Sequence, residues 1–144
     1  MKRNSNKIWV ITAVVALAVF GGMYYQKNSS GGTHTSSNLT LITDAGQLSS
    51  ILEKSKERLL VIDLYADWCA PCRVIAPILD ELAVKYSGNV DFYRVNVDQN
   101  KAVANFFKVS AIPYVVYVKN GIVVDALTGA NSTAAYENTI TNNL

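Results

Sequence analysis

A nearly continuous apolar run that leads into two closely spaced cysteines constrains the fold of this chain more than any other feature. Residues 59–65 read LLVIDLY, and WCAPC follows at residues 68–72. A short apolar run of this kind is typical of a central strand that is covered on both faces. A helical pattern begins near Ala70 and continues to about Tyr86. The sequence therefore predicts a strand that delivers the cysteines to the first turn of a helix.

Strand and helix patterns alternate through residues 39–144, a length sufficient for one α/β core. The predicted order is β-α-β-α-β-α-β-β-α. Further strands are expected at residues 39–42, 90–97, 114–119 and 122–127, and further helices at about 44–54, at 100–107 and from Ser132 or Thr133 onward. Asn120 and Gly121 predict a tight hairpin, and Asp44 with Gln47 resembles a capping box.

The helix predicted at residues 70–86 has two features that bear on its packing. Its apolar residues are expected to share one side, and they are Val74, Ile75, Ile78, Leu79 and Leu82. Pro77 lies inside this pattern and lacks the N–H that a helix interior uses. We therefore expect a kink in the helix at Pro77.

The two cysteines have the spacing of a redox-active pair. A helix N-terminus carries a partial positive charge that stabilises a thiolate at Cys69, and the thiolate is the nucleophilic form. Cys72 follows one turn later, close enough to form a disulfide. Pro71 suits the first turn, because the N–H that it lacks has no helical partner there. We expect Cys69 to attack a substrate disulfide and form a mixed disulfide, which Cys72 then attacks to release reduced substrate.

Three other interpretations of the cysteines stay open at this point. A purely structural disulfide would close a very short loop, which restrains the unfolded chain little. Half of a zinc site would need partners, and the chain has two cysteines and one histidine in all, so no metal is expected. Inert buried thiols are the third, although the flanking Trp, Pro and charged residues favour a surface loop. The redox interpretation requires a Cys69 sulfur that solvent can reach, and no cofactor, since the sulfur pair stores both electrons.

The N-terminal segment predicts export and a membrane anchor. Residues 8–25 contain no charge, and as a helix they would extend about 27 Å, close to the thickness of a bilayer core. Residues 1–7 carry three basic residues and no acid, which predicts a cytoplasmic N-terminus. We therefore expect a single-pass signal-anchor in the inner membrane, with the rest of the chain on the periplasmic or extracytoplasmic side. A signal peptide that is cleaved near residues 16–18 is the alternative.

Residues 26–38 read QKNSSGGTHTSSN, a composition typical of a flexible linker. The charge is divided on either side of this segment. Residues 1–27 carry a net charge of +4, and residues 28–144 carry −2. The predicted domain therefore has no basic excess, and no nucleic-acid partner is expected.

The motif WCAPC resembles the active site of the thioredoxin family, and the resemblance covers nearly all of residues 39–144. It implies an α/β thioredoxin fold, with a central mixed β-sheet flanked by helices, here preceded by the predicted transmembrane helix. Asp63 lies six residues before Cys69 and matches the buried acid of the family. Arg94 stands where the family usually has a lysine near that acid, and Tyr114 where it usually has a threonine.

The resemblance implies a role for each matching residue. Cys69 is the nucleophile, Cys72 the resolving cysteine, and Asp63 the proton acceptor for Cys72, because burial raises the pKa of a carboxyl group. Substrate-binding roles fall to Trp68, Ala70, Pro71, Ile112, Pro113 as a cis-proline, and Gly129, with Arg94 and Pro77 in support. Three simpler interpretations stay open: an inert Asp63, a solvated Arg94 and a trans proline.

The dipeptide between the cysteines indicates the direction of electron flow. Ala-Pro is closer to the Gly-Pro of reducing thioredoxins than to the His-containing dipeptides of oxidases and isomerases. A less stabilised thiolate means a less oxidising disulfide. We therefore expect a reductase of disulfides in exported proteins, supplied by a membrane electron donor. A disulfide-forming oxidase or isomerase and a non-catalytic subunit of a membrane complex are the alternatives.

Overall fold

A computed structural model describes residues 38–144 of the chain. Five strands and four helices alternate in the predicted order. They are β1 Thr40–Ile42, α1 Ala45–Lys54, β2 Leu59–Tyr65, α2 Ala70–Lys85, β3 Val90–Asn96, α3 Lys101–Phe106, β4 Tyr114–Lys119, β5 Ile122–Thr128 and α4 Thr133–Asn143. Residues 1–7, the expected anchor at 8–25 and all but the last residue of the linker lie outside the described residues and stay predictions. Within the described range, no helix has both the length and the apolarity to cross a bilayer.

The strands form one sheet in the order β1-β3-β2-β4-β5. β1, β3 and β2 run parallel, whereas β4 and β5 are antiparallel to their neighbours. The prediction of a central mixed sheet flanked by helices is therefore confirmed. All of β2 except Tyr65 is buried, as expected for a central strand that helices cover on both faces.

Two apolar clusters fill the space on either side of the sheet. One packs α1 and the α3 region against β2 and contains Leu48, Ile51, Leu60, Ile62, Leu64, Val103 and Phe107. The other packs α2 and α4 against the opposite face and contains Leu59, Val61, Ile75, Leu79, Leu82, Tyr117, Tyr136 and Ile140. Alternate residues of β2 feed the two clusters, as the period of a strand requires.

Polar caps define where α1 and α4 begin. The Asp44 carboxylate accepts a hydrogen bond from Gln47 N–H at 3.1 Å, and Ser132 caps α4 through Ala135 N–H at 3.3 Å. The capping box expected at α1 is incomplete in one respect. The Gln47 side chain accepts from Thr43 N–H, one residue before the cap, instead of from the cap itself. It still satisfies a free backbone donor at the helix entrance.

The hairpin at Asn120 and Gly121 joins β4 and β5 as predicted. Both residues have positive φ, of 53° and 78°, which is the conformation that a two-residue hairpin of this type needs. The buried Ser55 at the end of α1 holds this turn. Its carbonyl accepts from Asn120 N–H at 2.8 Å, and its hydroxyl accepts from Gly121 N–H at 2.6 Å.

The prediction that Val74 belongs to the buried apolar side of α2 is wrong. Ile75, Leu79 and Leu82 are buried, whereas 64% of Val74 is exposed. The three buried residues are spaced three or four apart and form one stripe, and Val74 lies about 100° around the helix from Ile75. The apolar side chain of Val74 therefore faces solvent, two residues after Cys72.

Candidate active site

Cys69 and Cys72 form a disulfide at the N-terminus of α2, with their Cα atoms 5.3 Å apart. A turn after β2 positions the first cysteine, because Cys69 N–H donates to the Ala66 carbonyl at 3.1 Å. Cys69 is the N-cap residue of α2, and its sulfur accepts from Cys72 N–H at 3.2 Å. The predicted placement of the cysteines at the start of a helix is therefore confirmed.

Both cysteines are almost fully covered in this oxidised state. Each exposes 2% of its surface and belongs to the apolar cluster against which Ile112 and Tyr114 pack. The expectation of a Cys69 sulfur that solvent can reach concerns the reduced pair and stays a prediction. Residues around the disulfide are exposed instead, among them Ala70, Pro71 and 69% of Trp68.

Asp63 and Arg94 form an ion pair beneath α2. The register of β2 and β3 places them side by side, and Arg94 Nη2 donates to Asp63 Oδ2 at 3.2 Å. Asp63 faces the same side of the sheet as Leu59 and Val61, which is the side that α2 covers. Its side chain is fully buried, and 18% of the Arg94 side chain is exposed. The interpretation of Arg94 as a solvated residue is therefore wrong.

Burial controls the charge of this carboxyl. Loss of solvent raises the pKa of Asp63 to about 6, although the Arg94 guanidinium pulls it back down. Asp63 Oδ1 and Arg94 Nε have no hydrogen-bond partner within the described part of the chain. The guanidinium also stacks on the Tyr65 ring, with its carbon 4.2 Å from the ring centroid. Asp63 therefore has a free oxygen and titrates within one or two pH units of neutrality, as a proton acceptor for a thiol requires.

The loop before β4 brings a proline and a glycine together. The Ile112–Pro113 peptide bond is cis, as the resemblance implied. Gly129 has a φ of +80°, and its N–H donates to the Pro113 carbonyl at 2.8 Å. Ile112 packs against the cluster that contains the disulfide. The loop that precedes β4 and the loop that follows β5 are therefore joined, and the first of them packs against the cluster that includes the cysteines.

Polar residues that the sequence interpretation missed hold Trp68, the residue before Cys69. Trp68 Nε1 donates to Asp98 Oδ2 at 2.7 Å, and Lys101 Nζ donates to Asp98 Oδ1 at 3.1 Å. Asn96 connects the two loops, because its amide donates to Asp67 and accepts from Asp98 N–H. β2 and β3 are parallel neighbours, so the residues that follow their carboxyl ends meet at one edge of the sheet. From the sequence, this rule could have indicated that the residues after β2 and after β3 lie close together.

Pro77 lies inside α2 and is exposed. Its role in shaping the helix stays a prediction. Among the described residues, no group of three or more His, Cys, Asp or Glu side chains is arranged to hold a metal ion.

A pair of cysteines that closes a disulfide at the start of a helix, with a buried carboxyl group on the sheet face that this helix covers, is suited to exchanging that disulfide with another one. The fold and the pair define the class of thiol-disulfide oxidoreductases.

Comparison with known proteins supports this assignment to the class of thiol-disulfide oxidoreductases. The sequence matches the thioredoxin family over residues 40–142. Thioredoxin-T of Drosophila melanogaster is 42% identical over 91 residues, covering 63% of this chain and 58% of that protein. Thioredoxin 1 of Synechococcus elongatus is 37% identical over 103 residues, covering 72% of this chain and 94% of that protein. The crystal structure of reduced Schistosoma mansoni thioredoxin pre-protein matches with a TM-score of 0.68 and 38% identity, covering 74% of this chain and 98% of that one. The chain belongs to the thioredoxin family.

Proposed function

We propose that this chain reduces disulfides in exported proteins through the Cys69–Cys72 pair. The observation that carries the proposal is the disulfide at the N-terminus of α2, with Ala70 and Pro71 between the sulfurs. The helix terminus stabilises the thiolate of the reduced form. No histidine lies between the cysteines to stabilise it further. Such a pair donates electrons more readily than the pair of an oxidase.

The first chemical step is attack on the substrate. The Cys69 thiolate attacks one sulfur of the substrate disulfide, a new sulfur–sulfur bond forms, and the other substrate sulfur leaves as a thiolate. The backbone N–H of Cys72 already points at the Cys69 sulfur, 3.2 Å away. The same N–H can stabilise the negative charge on Cys69 before the attack.

The second step resolves the mixed disulfide. Cys72 loses its proton to Asp63, and its thiolate attacks Cys69, which reforms the internal disulfide and releases the second substrate thiolate. Asp63 lies on the face of the sheet that α2 covers, and no described residue forms a hydrogen bond with its Oδ1. With a pKa of about 6, Asp63 is mostly ionised at neutral pH and can accept the proton.

Substrate recognition is assigned to the exposed apolar surface around the disulfide. Trp68, Val74 and the Ala70–Pro71 turn are exposed, and the Ile112 backbone precedes β4 and lies outside its ladder. An extended segment of a partly unfolded protein can pair with such a backbone while its apolar side chains contact the surface. This arrangement favours the disulfides of proteins over those of small molecules.

The compartment and the electron donor belong to the proposal as well. The apolar segment at residues 8–25 would tether the domain outside the cytoplasm, where the oxidised Cys69–Cys72 pair needs a new source of electrons. A membrane protein that carries a reduced dithiol can supply them by the reverse of the two steps above. Each cycle then transfers two electrons from the donor to the substrate.

Turbidity measurements of insulin reduction test the reaction. The full-length chain in mild detergent, supplied with dithiothreitol, is expected to accelerate insulin precipitation, and Cys69→Ser is expected to remove the acceleration. Cys72→Ser is expected to accumulate mixed disulfides, which mass spectrometry can identify. An inactive wild-type chain would favour a non-catalytic subunit. A reduction potential near that of strong oxidases, about −120 mV, would reverse the proposed direction.

Location is tested separately. After alkaline carbonate extraction the full-length chain is expected in the membrane fraction. In intact spheroplasts, a membrane-impermeant maleimide is expected to label Cys69 of the Cys72→Ser variant. Recovery of a shortened chain in the soluble periplasmic fraction would instead identify residues 8–25 as a cleaved signal peptide.

A further inference from the structure

The hydroxyl group of Tyr136 bonds the loop of residues 129–131 from inside the protein. We infer that Tyr136 is a positioning residue that holds this loop in the conformation that receives protein substrates. The inference rests on the proposed function, because it concerns the same substrate surface. Sequence patterns did not point to Tyr136, since its partners are backbone groups of a loop.

Tyr136 lies in the first turns of α4 and is fully buried. Its hydroxyl accepts a hydrogen bond from Asn131 N–H at 3.2 Å and donates one to the Gly129 carbonyl at 3.3 Å. One oxygen atom therefore satisfies a backbone donor and a backbone acceptor that lie two residues apart. The packed ring anchors this oxygen, because it belongs to the apolar cluster beneath α2 and α4.

The Asn131 side chain holds the same loop from within. Its amide donates to the Thr128 carbonyl at 3.2 Å and to the Gly129 carbonyl at 3.0 Å. The Gly129 carbonyl thus accepts from two side chains, and the Gly129 N–H donates to Pro113. A continuous path of hydrogen bonds leads from Tyr136 through Gly129 to the cis-proline loop, whose Ile112 packs against the disulfide cluster.

This geometry assigns Tyr136 to substrate binding and not to electron transfer. Among residues 38–144 its hydroxyl bonds to atoms of this loop and to no group of the cysteines or Asp63, so its removal is expected to leave them in place. In the proposed function, an extended substrate that pairs with the Ile112 backbone lies next to the loops that the Gly129–Pro113 hydrogen bond joins. Without the hydroxyl, Asn131 N–H loses its acceptor, and binding has to order a looser loop.

Tyr117 supplies a matched control. It is also a fully buried tyrosine of the same apolar cluster, and its hydroxyl donates to the Tyr136 carbonyl at 3.5 Å. Tyr117→Phe therefore removes a buried hydroxyl from the same core without removing a hydrogen bond of the loop. Tyr136→Phe and Tyr117→Phe each delete one oxygen atom and keep the ring.

The test compares insulin reduction by the wild-type chain, Tyr136→Phe and Tyr117→Phe. Tyr136→Phe is expected to raise KM for insulin about fivefold, with kcat within about twofold of wild type, because Asn131 N–H loses its acceptor while the Gly129 carbonyl keeps the Asn131 amide as a donor. Tyr117→Phe is expected to keep the wild-type KM. Asn131→Ala provides a second variant in case Tyr136→Phe folds poorly, because Asn131 is only half-buried. It is also expected to raise KM for insulin.

Amide hydrogen exchange gives a readout that does not depend on activity. The Asn131 amide is expected to exchange faster in Tyr136→Phe than in Tyr117→Phe. An unchanged KM in a Tyr136→Phe chain that reduces insulin, an equal rise in Tyr117→Phe, or unchanged Asn131 exchange would each overturn the inference alone. A wild-type chain that does not reduce insulin would overturn the proposed function, and with it the assignment of this loop to protein substrates.

Discussion

Two carboxyl groups of this domain each face a basic side chain, and their pKa values move in opposite directions. Asp63 pairs with Arg94 inside the protein, and burial raises its pKa to about 6. Glu137 pairs with Lys85 near the surface, and hydrogen bonds from Lys85 and Tyr86 lower its pKa. The partner is a cation in both pairs. Loss of solvent therefore decides the direction at Asp63, where it outweighs the attraction of the guanidinium.

The contrast shows how one chemical group, the carboxyl, serves two purposes. Glu137 keeps its charge at every physiological pH and joins α4 to the end of α2 through Lys85 and Tyr86. The pKa of Asp63 lies close to neutral pH, so that small changes in pH or in its surroundings alter its charge. Only the second kind of carboxyl can take up and return a proton during each reaction cycle.

Removal of the buried carboxyl is expected to have the largest effect. Asp63→Asn keeps the shape of the side chain but cannot accept the proton of Cys72, so resolution of the mixed disulfide is expected to slow by about 100-fold or more at pH 7. Stopped-flow measurement of thiol release from a preformed mixed disulfide isolates this step. Glu137→Gln is the control, and equal slowing in both variants would remove the distinction between the two carboxyl groups.

At pH 7, Asp63→Asn is expected to raise the free energy of unfolding, although it slows the resolution of the mixed disulfide. The pKa of Asp63 is higher in the folded chain, about 6, than its ordinary value of 3.8, so the folded state binds protons more readily. Its contribution to the free energy of unfolding is therefore largest below about pH 4, falls as the pH rises through 6, and then stays low. The difference corresponds to about 3 kcal/mol.

Urea unfolding of the wild type and Asp63→Asn at several pH values measures this difference directly. The variant is expected to be more stable at pH 7 and equally stable near pH 3.5. Subtracting the two curves removes the carboxyl groups that titrate in the usual direction, such as Asp98 and Glu137. A constant difference at all pH values would show that Asp63 does not carry the titration.

Local patterns were sufficient for the framework of the fold. The apolar run of β2, the cap at Asp44 and the Asn120–Gly121 turn each depend on residues within a few positions of one another. The order of elements and the disulfide at the start of α2 could therefore be predicted. Val74 was misassigned because one residue of error around a helix moves a side chain from the core to solvent.

The surroundings of the cysteines needed three-dimensional pairing. Arg94 reaches Asp63 because β3 lies beside β2 in a definite register, and Trp68 reaches Asp98 for the same reason. Periodicity in the sequence does not state which strands are neighbours or how they are aligned. The resemblance placed Arg94 near the acid, but the stacking on Tyr65 and the bonds from Tyr136 to its loop appear only in the folded chain.

Replacement of Arg94 is expected to have an intermediate effect. The guanidinium lowers the pKa of Asp63, so Arg94→Gln is expected to raise it and to move the rising limb of the pH profile for resolution toward higher pH. Tyr65→Leu, which removes the ring beneath the guanidinium, is expected to move the limb in the same direction by less. Rates measured between pH 5 and 9 test both variants, and a shift toward lower pH would contradict the assigned role of Arg94.

The smallest effect on stability is expected for the surface ion pair of Glu137 and Lys85. Glu137→Gln removes the charge that faces Lys85, whose side chain is 59% exposed. Solvent already screens this pair, and water can replace the lost partner. Unfolding curves at pH 7 are expected to change less than for any substitution at Asp63 or Arg94, and added salt is expected to reduce the change further. A salt-independent loss as large as the gain in Asp63→Asn would mean that exposure does not separate the two carboxyl groups, and the contrast between them would have to rest on their neighbours alone.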